Sequence, residues 1–293
     1  MTFWMDLTGF TYHLEYVDAG GLNTRVLRAG KGEPVICLHG ISGHLEAFVP
    51  MVRHYVNDFE LHAIDMAGHG YTQTPGGPVT MDTLCDHIVA YMDAAHIEKA
   101  HFVGISLGGW VSAWLAAHHP ERILTTTLIA PPGDPHSPVA SNPAFVEHLR
   151  KITREGVLGT DKEFTRKRLA AVLTNPDVLT DELVDVRYAI YHQPTFQAGI
   201  EDLMALTHLD QYEKFSLTPG VLAKIKSEVL VVWGENDPSG DGTPFLREGL
   251  ARKKIVFFKK TGHLPPYERA EDFARVNLAF LKHGLAGVEE GSI

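Results

Sequence analysis

Hydrophobic and polar positions run in two rhythms along this chain. Short apolar or β-branched stretches at 12–17, 24–27, 34–38, 59–65, 100–103 and 123–130 read as strands. Gly20-Gly21 makes the first two an antiparallel pair joined by a tight turn. Between later strands, residues 80–96 carry Met81, Leu84, Ile88, Tyr91 and Met92 at helical spacing, and 110–117 form a nearly all-apolar helix. After about Asp134 the strand signals vanish and four helix starts follow. Asn142-Pro143 offers a cap with proline at the first helical position. Thr160-Asp161-Lys162-Glu163 has the form of a capping box. Thr180-Asp181-Glu182 opens a third helix and Pro194 a fourth. Strands then return at 229–233 and 254–258, with a helix over 242–251 and a closing amphipathic helix over 268–283. The tail 288–293 carries no periodicity and is expected to be loose.

This order predicts an α/β fold: a mostly parallel, eight-stranded sheet flanked by helices, with a helical cap or lid inserted after the sixth strand. The core comprises 1–133 and 224–293, and the cap 134–223.

One junction carries chemistry. Gly104-Ile105-Ser106-Leu107-Gly108 matches Gly-x-Ser-x-Gly between a strand and a helix, the pattern of a nucleophile elbow. A serine hydroxyl needs a base to take its proton, and the base needs a third group to orient it. Downstream, Asp237 follows the strand at 229–233, and His263 follows the strand at 254–258 in Thr261-Gly262-His263. Both fall at carboxyl ends of strands, the edge where open parallel sheets bind ligands. Ser106, Asp237 and His263 are therefore the candidate catalytic residues, with Asp241, Glu235 and Asp134 as alternative acids. Stabilising an oxyanion takes two backbone N–H groups. Leu107, at the positive end of the following helix, supplies one, and Ile41 in the loop after 34–38 supplies the other. His39 reads as a brace for that loop.

Composition narrows the field. The formal charge of −10 disfavours a general nucleic-acid binder. Two cysteines, Cys37 and Cys85, provide no disulfide framework and suit a reducing compartment. No signal peptide or membrane-length apolar run is evident, which points to the cytoplasm and away from the membrane. Seventeen histidines invite a metal, yet neither His-Glu-x-x-His nor Cys-x-x-Cys occurs, so no metal and no cofactor are expected. Outward apolar cap faces would suit a homodimer.

His39-Gly40, Asp65-Met66-Ala67-Gly68-His69-Gly70, the elbow, the stretch from Trp233 to Pro238 and Gly262-His263 resemble, in order, the landmarks of the α/β-hydrolase superfamily. They span nearly all of the chain outside the cap. Within the cap, residues 177–188 resemble the lid of meta-cleavage-product hydrolases, which cleave a carbon–carbon bond in dienoates from aromatic ring fission. That resemblance implies a substrate-binding role for Arg187, which would grip a carboxylate. Ser42, Trp110 and Tyr188 join it as candidate substrate contacts, and Phe145, Val146, Phe164 and Tyr191 as further candidate pocket residues. Two positions depart from the family pattern: Ile105 stands where Asn is usual, and Leu264 where Trp is usual. The resemblance implies a cofactor-free serine hydrolase of a small carbonyl substrate, by carbon–carbon, ester, lactone or amide cleavage. Cofactor-free oxygenation or perhydrolysis, and a non-enzymatic ligand receptor, are the other readings.

Overall fold

The structure, a computed structural model, describes residues 2–134 and 143–293, apart from the side chains of residues 143 and 145. The expected cap residue Asn142 and pocket residue Phe145 therefore fall outside the described positions.

Nine strands form one sheet: β1 Tyr12–Ala19, β2 Leu22–Gly30, β3 Glu33–Leu38, β4 Phe59–Ile64, β5 Ala100–Ile105, β6 Ile123–Ile129, β7 Glu228–Gly234, β8 Lys253–Phe258 and β9 Gly291–Ser292. Their order is β1-β2-β4-β3-β5-β6-β7-β8-β9. β1, β2 and β4 pair antiparallel, and every later pairing is parallel. The hairpin between β1 and β2 turns through Gly20 and Gly21, whose φ values of 65° and 90° lie on the positive side, which favours glycine.

All eight expected strands are present; the ninth corrects the expectation of a loose tail. Gly291 and Ser292 pair with Val256 and Phe257, Ile293 N–H donates to the Phe257 carbonyl, and Val288 is buried. Two residues are too few to show an alternating pattern, so the edge pairing leaves no trace in the sequence.

The central strands are buried on both faces, as parallel sheets require. Ile36, Leu38 and Phe102 belong to one core cluster; their neighbours Val35, Cys37 and Val103 belong to the other. Helices cover both faces: α1 Phe3–Leu7, α2 Val49–Tyr55, α3 Met81–Ala94 and α4 Leu107–His118 in the first part of the chain. Between β6 and β7 the described chain is helical, with α5 Pro143–Leu158, α6 Lys162–Ala170, α7 Asp181–Tyr191, α8 Pro194–Ala198, α9 Ile200–Met204, α10 Leu209–Lys214 and α11 Pro219–Leu222. Then come α12 Thr243–Gly249, α13 Pro265–Glu268 and α14 Ala270–His283. The expected closing helix is thus split at Arg269, whose φ of −139° and ψ of 56° are not helical.

Thr180 caps α7 through its side chain and Pro194 opens α8, as expected. The second start differs. Asp161, not Thr160, caps α6, accepting from Glu163 N–H at 2.9 Å. Asp161 is extended and the first helical residue is Lys162, so Glu163 sits too early in the helix for a reciprocal box. Among the described residues the cap has three more short helices, α9 to α11, than the four starts suggested. It is pinned to the core where Leu217 N–H donates to Gly133, just after β6, at 2.8 Å and Trp110 Nε1 on α4 donates to Phe215, also at 2.8 Å.

Candidate active site

Ser106 sits between the last residue of β5 and the first of α4, with φ 52° and ψ −116°. A non-glycine residue held there costs roughly 1–3 kcal/mol and persists only where its surroundings over-determine it. Here its N–H donates to Ile129 at 2.8 Å and its carbonyl accepts from Trp110 at 3.0 Å. The flanking glycines are required by backbone crossing. A Cβ on Gly104 would lie 2.3 Å from the Gly108 carbonyl oxygen, and one on Gly108 would lie 2.1 Å from that of Leu38.

The loops after β7 and β8 bring Asp237 and His263 together. Asp237 Oδ2 accepts from His263 Nδ1 at 2.7 Å. Asp237 Oδ1 accepts from Ser239 N–H and Oγ at 2.8 and 2.6 Å. Burial pushes the Asp237 carboxyl up, but His263 and Ser239 outweigh it and hold the group below its usual range. Of the alternative acids, Glu235 is exposed and Asp241 is engaged with Thr243 N–H at 2.8 Å. Asp134 lines the same cavity as the pair. With Nδ1 committed to Asp237, His263 has Nε2 left for proton transfer.

The His263 loop is fastened to the cap. His263 N–H donates to the Val172 carbonyl at 2.9 Å. The buried Glu268 carboxylate accepts from Gly262 on one oxygen and from Thr174 and Asn175 on the other, each at 2.8 Å. A Cβ on Gly262 would meet Thr174 and Val172 at 2.8 Å, so this close seat needs glycine.

Ile41 and Leu107 line the cavity beside Ser106, and among the described residues their N–H groups meet no acceptor. The Ile41 loop is held from beneath. His39 Nδ1 donates to Gly40 at 2.8 Å, and its Nε2 accepts from Met66 N–H at 3.1 Å. Gly108 N–H donates to the His39 carbonyl at 3.0 Å, tying loop to elbow. Burial, with repulsion from His69, keeps the His39 ring well below its ordinary pKa. It is the neutral brace that the sequence suggested.

The cavity has a volume of about 510 Å³ and is lined mainly by apolar side chains. Ser106, Asp237, His263, Trp110 and Arg187 all reach it. So do Ile105 and Leu264, the two positions that depart from the family pattern. Four expected pocket residues do not line it. Ser42 lies behind the wall, its carbonyl accepting from Arg187 Nη1 at 2.7 Å and its hydroxyl from Tyr191 at 3.2 Å. Tyr188 points away: its hydroxyl donates to Thr160 at 2.9 Å and its ring stacks on His192 at 3.8 Å. Helical phase explains this, because Tyr191, four residues after Arg187, shares its face whereas the adjacent Tyr188 does not. Phe164 is 39% exposed, and Val146 lies on α5 outside the lining. Arg168 lines the cavity and was not anticipated. Its sequence signal is phase: Thr165, Arg168 and Leu169 form the buried stripe of an otherwise charged helix.

Cys37 and Cys85 are buried and unpaired, their thiols pushed up by burial. Among the described residues, no three His, Cys, Asp or Glu side chains converge as metal ligands, and no helix is long and apolar enough to cross a membrane.

The sequence profile of the alpha/beta hydrolase fold matches residues 33–270. The chain is similar to 2-hydroxymuconate semialdehyde hydrolase from Pseudomonas sp. strain CF600, at 26% identity over 273 residues, covering 90% of this chain and 92% of that protein. It is similar to monoacylglycerol lipase ABHD6 of Bos taurus, at 25% identity over 270 residues, covering 87% of this chain and 77% of the relative. In three dimensions it resembles the meta-cleavage product hydrolase of Pseudomonas fluorescens IP01, with a TM-score of 0.74 at 25% identity, covering 92% of this chain and 97% of the other.

Proposed function

Because this chain belongs to the alpha/beta hydrolase fold family and is a hydrolase, we propose that it works through a Ser106–His263–Asp237 triad on a small carbonyl substrate bearing an acidic group. The observation that carries this reading is the 2.7 Å contact of Asp237 with His263 in the cavity that Ser106 also lines. His263 Nε2 takes the Ser106 proton as Oγ attacks the carbonyl carbon. The amides of Ile41 and Leu107 receive the oxyanion. Collapse of that intermediate breaks the bond to the leaving group, which takes the proton from His263, and leaves an acyl-serine. Water then gives a proton to His263 and attacks the acyl carbon, releasing the acid and restoring Ser106. Asp237 holds the ring orientation and stabilises the imidazolium. Arg187, buried beside the same cavity, suits the acidic group.

The relatives divide between carbon–carbon hydrolases and a lipase. Ile105 and Leu264 favour a second reading, hydrolysis of a carboxylic ester. They put apolar side chains on the cavity wall where the Asn and Trp of the family pattern would offer N–H donors to a departing dienolate.

Turnover of 2-hydroxy-6-oxo-dienoates, aryl esters and lactones by wild type and variants separates these readings. Ser106→Ala is expected to abolish turnover and fluorophosphonate labelling. Asp237→Asn is expected to lower kcat by roughly 10³–10⁴-fold, while Asp241→Asn stays close to wild type. Turnover retained by Ser106→Ala would overturn the mechanism. A deficit in Asp241→Asn as large as that of Asp237→Asn would reassign the acid.

A further inference from the structure

Two arginines face the cavity, and among the described residues neither has a carboxylate partner. Arg168 and Arg187 are each 8% exposed, and no carboxylate among the described residues pairs with either. Arg187 spends one nitrogen on Ser42 and Tyr191, while its buried Nε has no acceptor. Arg168 makes one hydrogen bond, from Nε to Thr153 at 3.3 Å, and its two terminal nitrogens meet no acceptor among the described residues. Arg25 shows how this chain treats a buried arginine that serves structure alone. Equally buried, it is held by Asp65 and Glu46, each at 2.7 Å. A buried cation without a counter-ion is expensive, and leaving one charge unpaired costs several kcal/mol. Two of them on one cavity repel each other as well. Burial lowers the Arg168 pKa and the nearby Arg187 lowers it further, with only the Tyr191 hydroxyl opposing.

Helix packing places Arg168 there. α5 and α6 meet at Gly156, where an added Cβ would stand 3.1 Å from Arg168 Cβ. That close approach turns the α6 stripe of Thr165, Arg168 and Leu169 inward.

We propose that Arg168 is a second anion-binding group of this cavity, so that the substrate is a dianion with one acidic group at Arg187 and another at Arg168. The proposal rests on the cavity being the substrate site of the hydrolase reading above, and it names the substrate class that reading leaves open: a dicarboxylic acyl compound. A monoanion leaves one guanidinium desolvated and unpaired. A dianion neutralises both and can meet each as a bidentate partner.

The test uses binding, which does not depend on turnover. Unbranched dicarboxylates from succinate to suberate are titrated calorimetrically against the full-length protein, alongside monocarboxylates of equal length. At least one dicarboxylate is expected to bind about 10-fold or more tightly than its matched monocarboxylate, about 1.4 kcal/mol. In Arg168→Met, of similar volume and no charge, that ratio falls to about one, while Arg168→Lys keeps part of it. Fluorophosphonate labelling of Ser106 in each variant reports an intact site and tests the hydrolase reading separately. Should Arg168→Met fail to label, Arg168→Gln supplies the same ratio. Equal affinity of mono- and dicarboxylates across the series in wild type, or an unchanged ratio in the neutral variants, would overturn the proposal.

Discussion

The backbone N–H of His263 donates to the carbonyl of Val172, 2.9 Å away, so the loop carrying the proposed base is hydrogen-bonded directly to the cap. Glu268 doubles that link, one oxygen on Gly262 and the other on Thr174 and Asn175.

Glu268→Gln should therefore disturb both cap and base. An amide has one acceptor oxygen and turns an NH₂ group toward amides that need an acceptor, leaving at least one buried N–H unmet. The expected cost is about 1–3 kcal/mol of stability. Displacing His263 by a fraction of an ångström should lower kcat about 10-fold, since reacting groups tolerate little misplacement. Denaturant midpoints and steady-state kinetics check the two effects. Unchanged kcat and midpoint together would mean that the link neither holds the cap nor positions the base.

Gly108→Ala tests the crossing at the elbow. The new Cβ would sit 2.1 Å from the Leu38 oxygen and 2.7 Å from that of His39, both backbone atoms that cannot swing aside. The expected loss is about 3 kcal/mol or more, with fluorophosphonate labelling lost in parallel. Gly77, which has open space around its Cβ position and no positive φ, is the control. Gly77→Ala should move stability by no more than about 0.5 kcal/mol. Equal midpoints for the two variants would show that the elbow relaxes where its geometry says it cannot.

Acid should destabilise this protein as its buried histidines are forced to take up protons. Burial pushes His69 and His87 down to about 4 from an ordinary 6.5, with the nearby His69 adding to the effect at His87. His39 is also held well below its ordinary value, first by burial. The geometry agrees: His39 Nε2 and His87 Nδ1 accept backbone N–H groups from Met66 and Ala67, which a protonated ring cannot do. With the folded pKa depressed, the unfolded chain takes up protons first. The stabilisation is complete above about pH 6.5 and is lost as pH falls toward 4. At pH 5 His69 and His87 each forfeit on the order of 2 kcal/mol. Urea midpoints measured from about pH 7 to about pH 5 should fall steeply, and His87→Gln, with a donor and an acceptor but no proton to gain, should flatten the slope. A midpoint independent of pH in that range would contradict the assignment.

Much of the site was legible because its parts lie at strand ends, where chain order and glycine spacing are visible. Ser106, Asp237 and His263 each follow a strand whose apolar run is plain in the sequence. The loop carrying Ile41 was legible for the same reason, and His39 as its brace. What escaped notice depended on three-dimensional neighbours. Arg168 sits in Lys-Glu-Phe-Thr-Arg-Lys-Arg, which reads as a solvated helix until Gly156 brings α5 against it. Ser42 and Tyr188 were misassigned because closeness in sequence to Ile41 and Arg187 does not fix which way a side chain turns. Glu268 gave no signal, since its three donors lie in two segments far apart in the chain.

The cap enters the sheet between β6 and β7, which are themselves directly paired through Thr125–Ile129 and Glu228–Val232. The intervening chain is a single long loop tied at its base by those strands. Loop-closure entropy grows only with the logarithm of length, so doubling a loop of roughly a hundred residues adds only about 0.6 kcal/mol to the cost of closing it. The segment between those strands can therefore change in length at little closure cost to the sheet, provided that Val172, Thr174 and Asn175 keep their bonds to the His263 loop and Glu268.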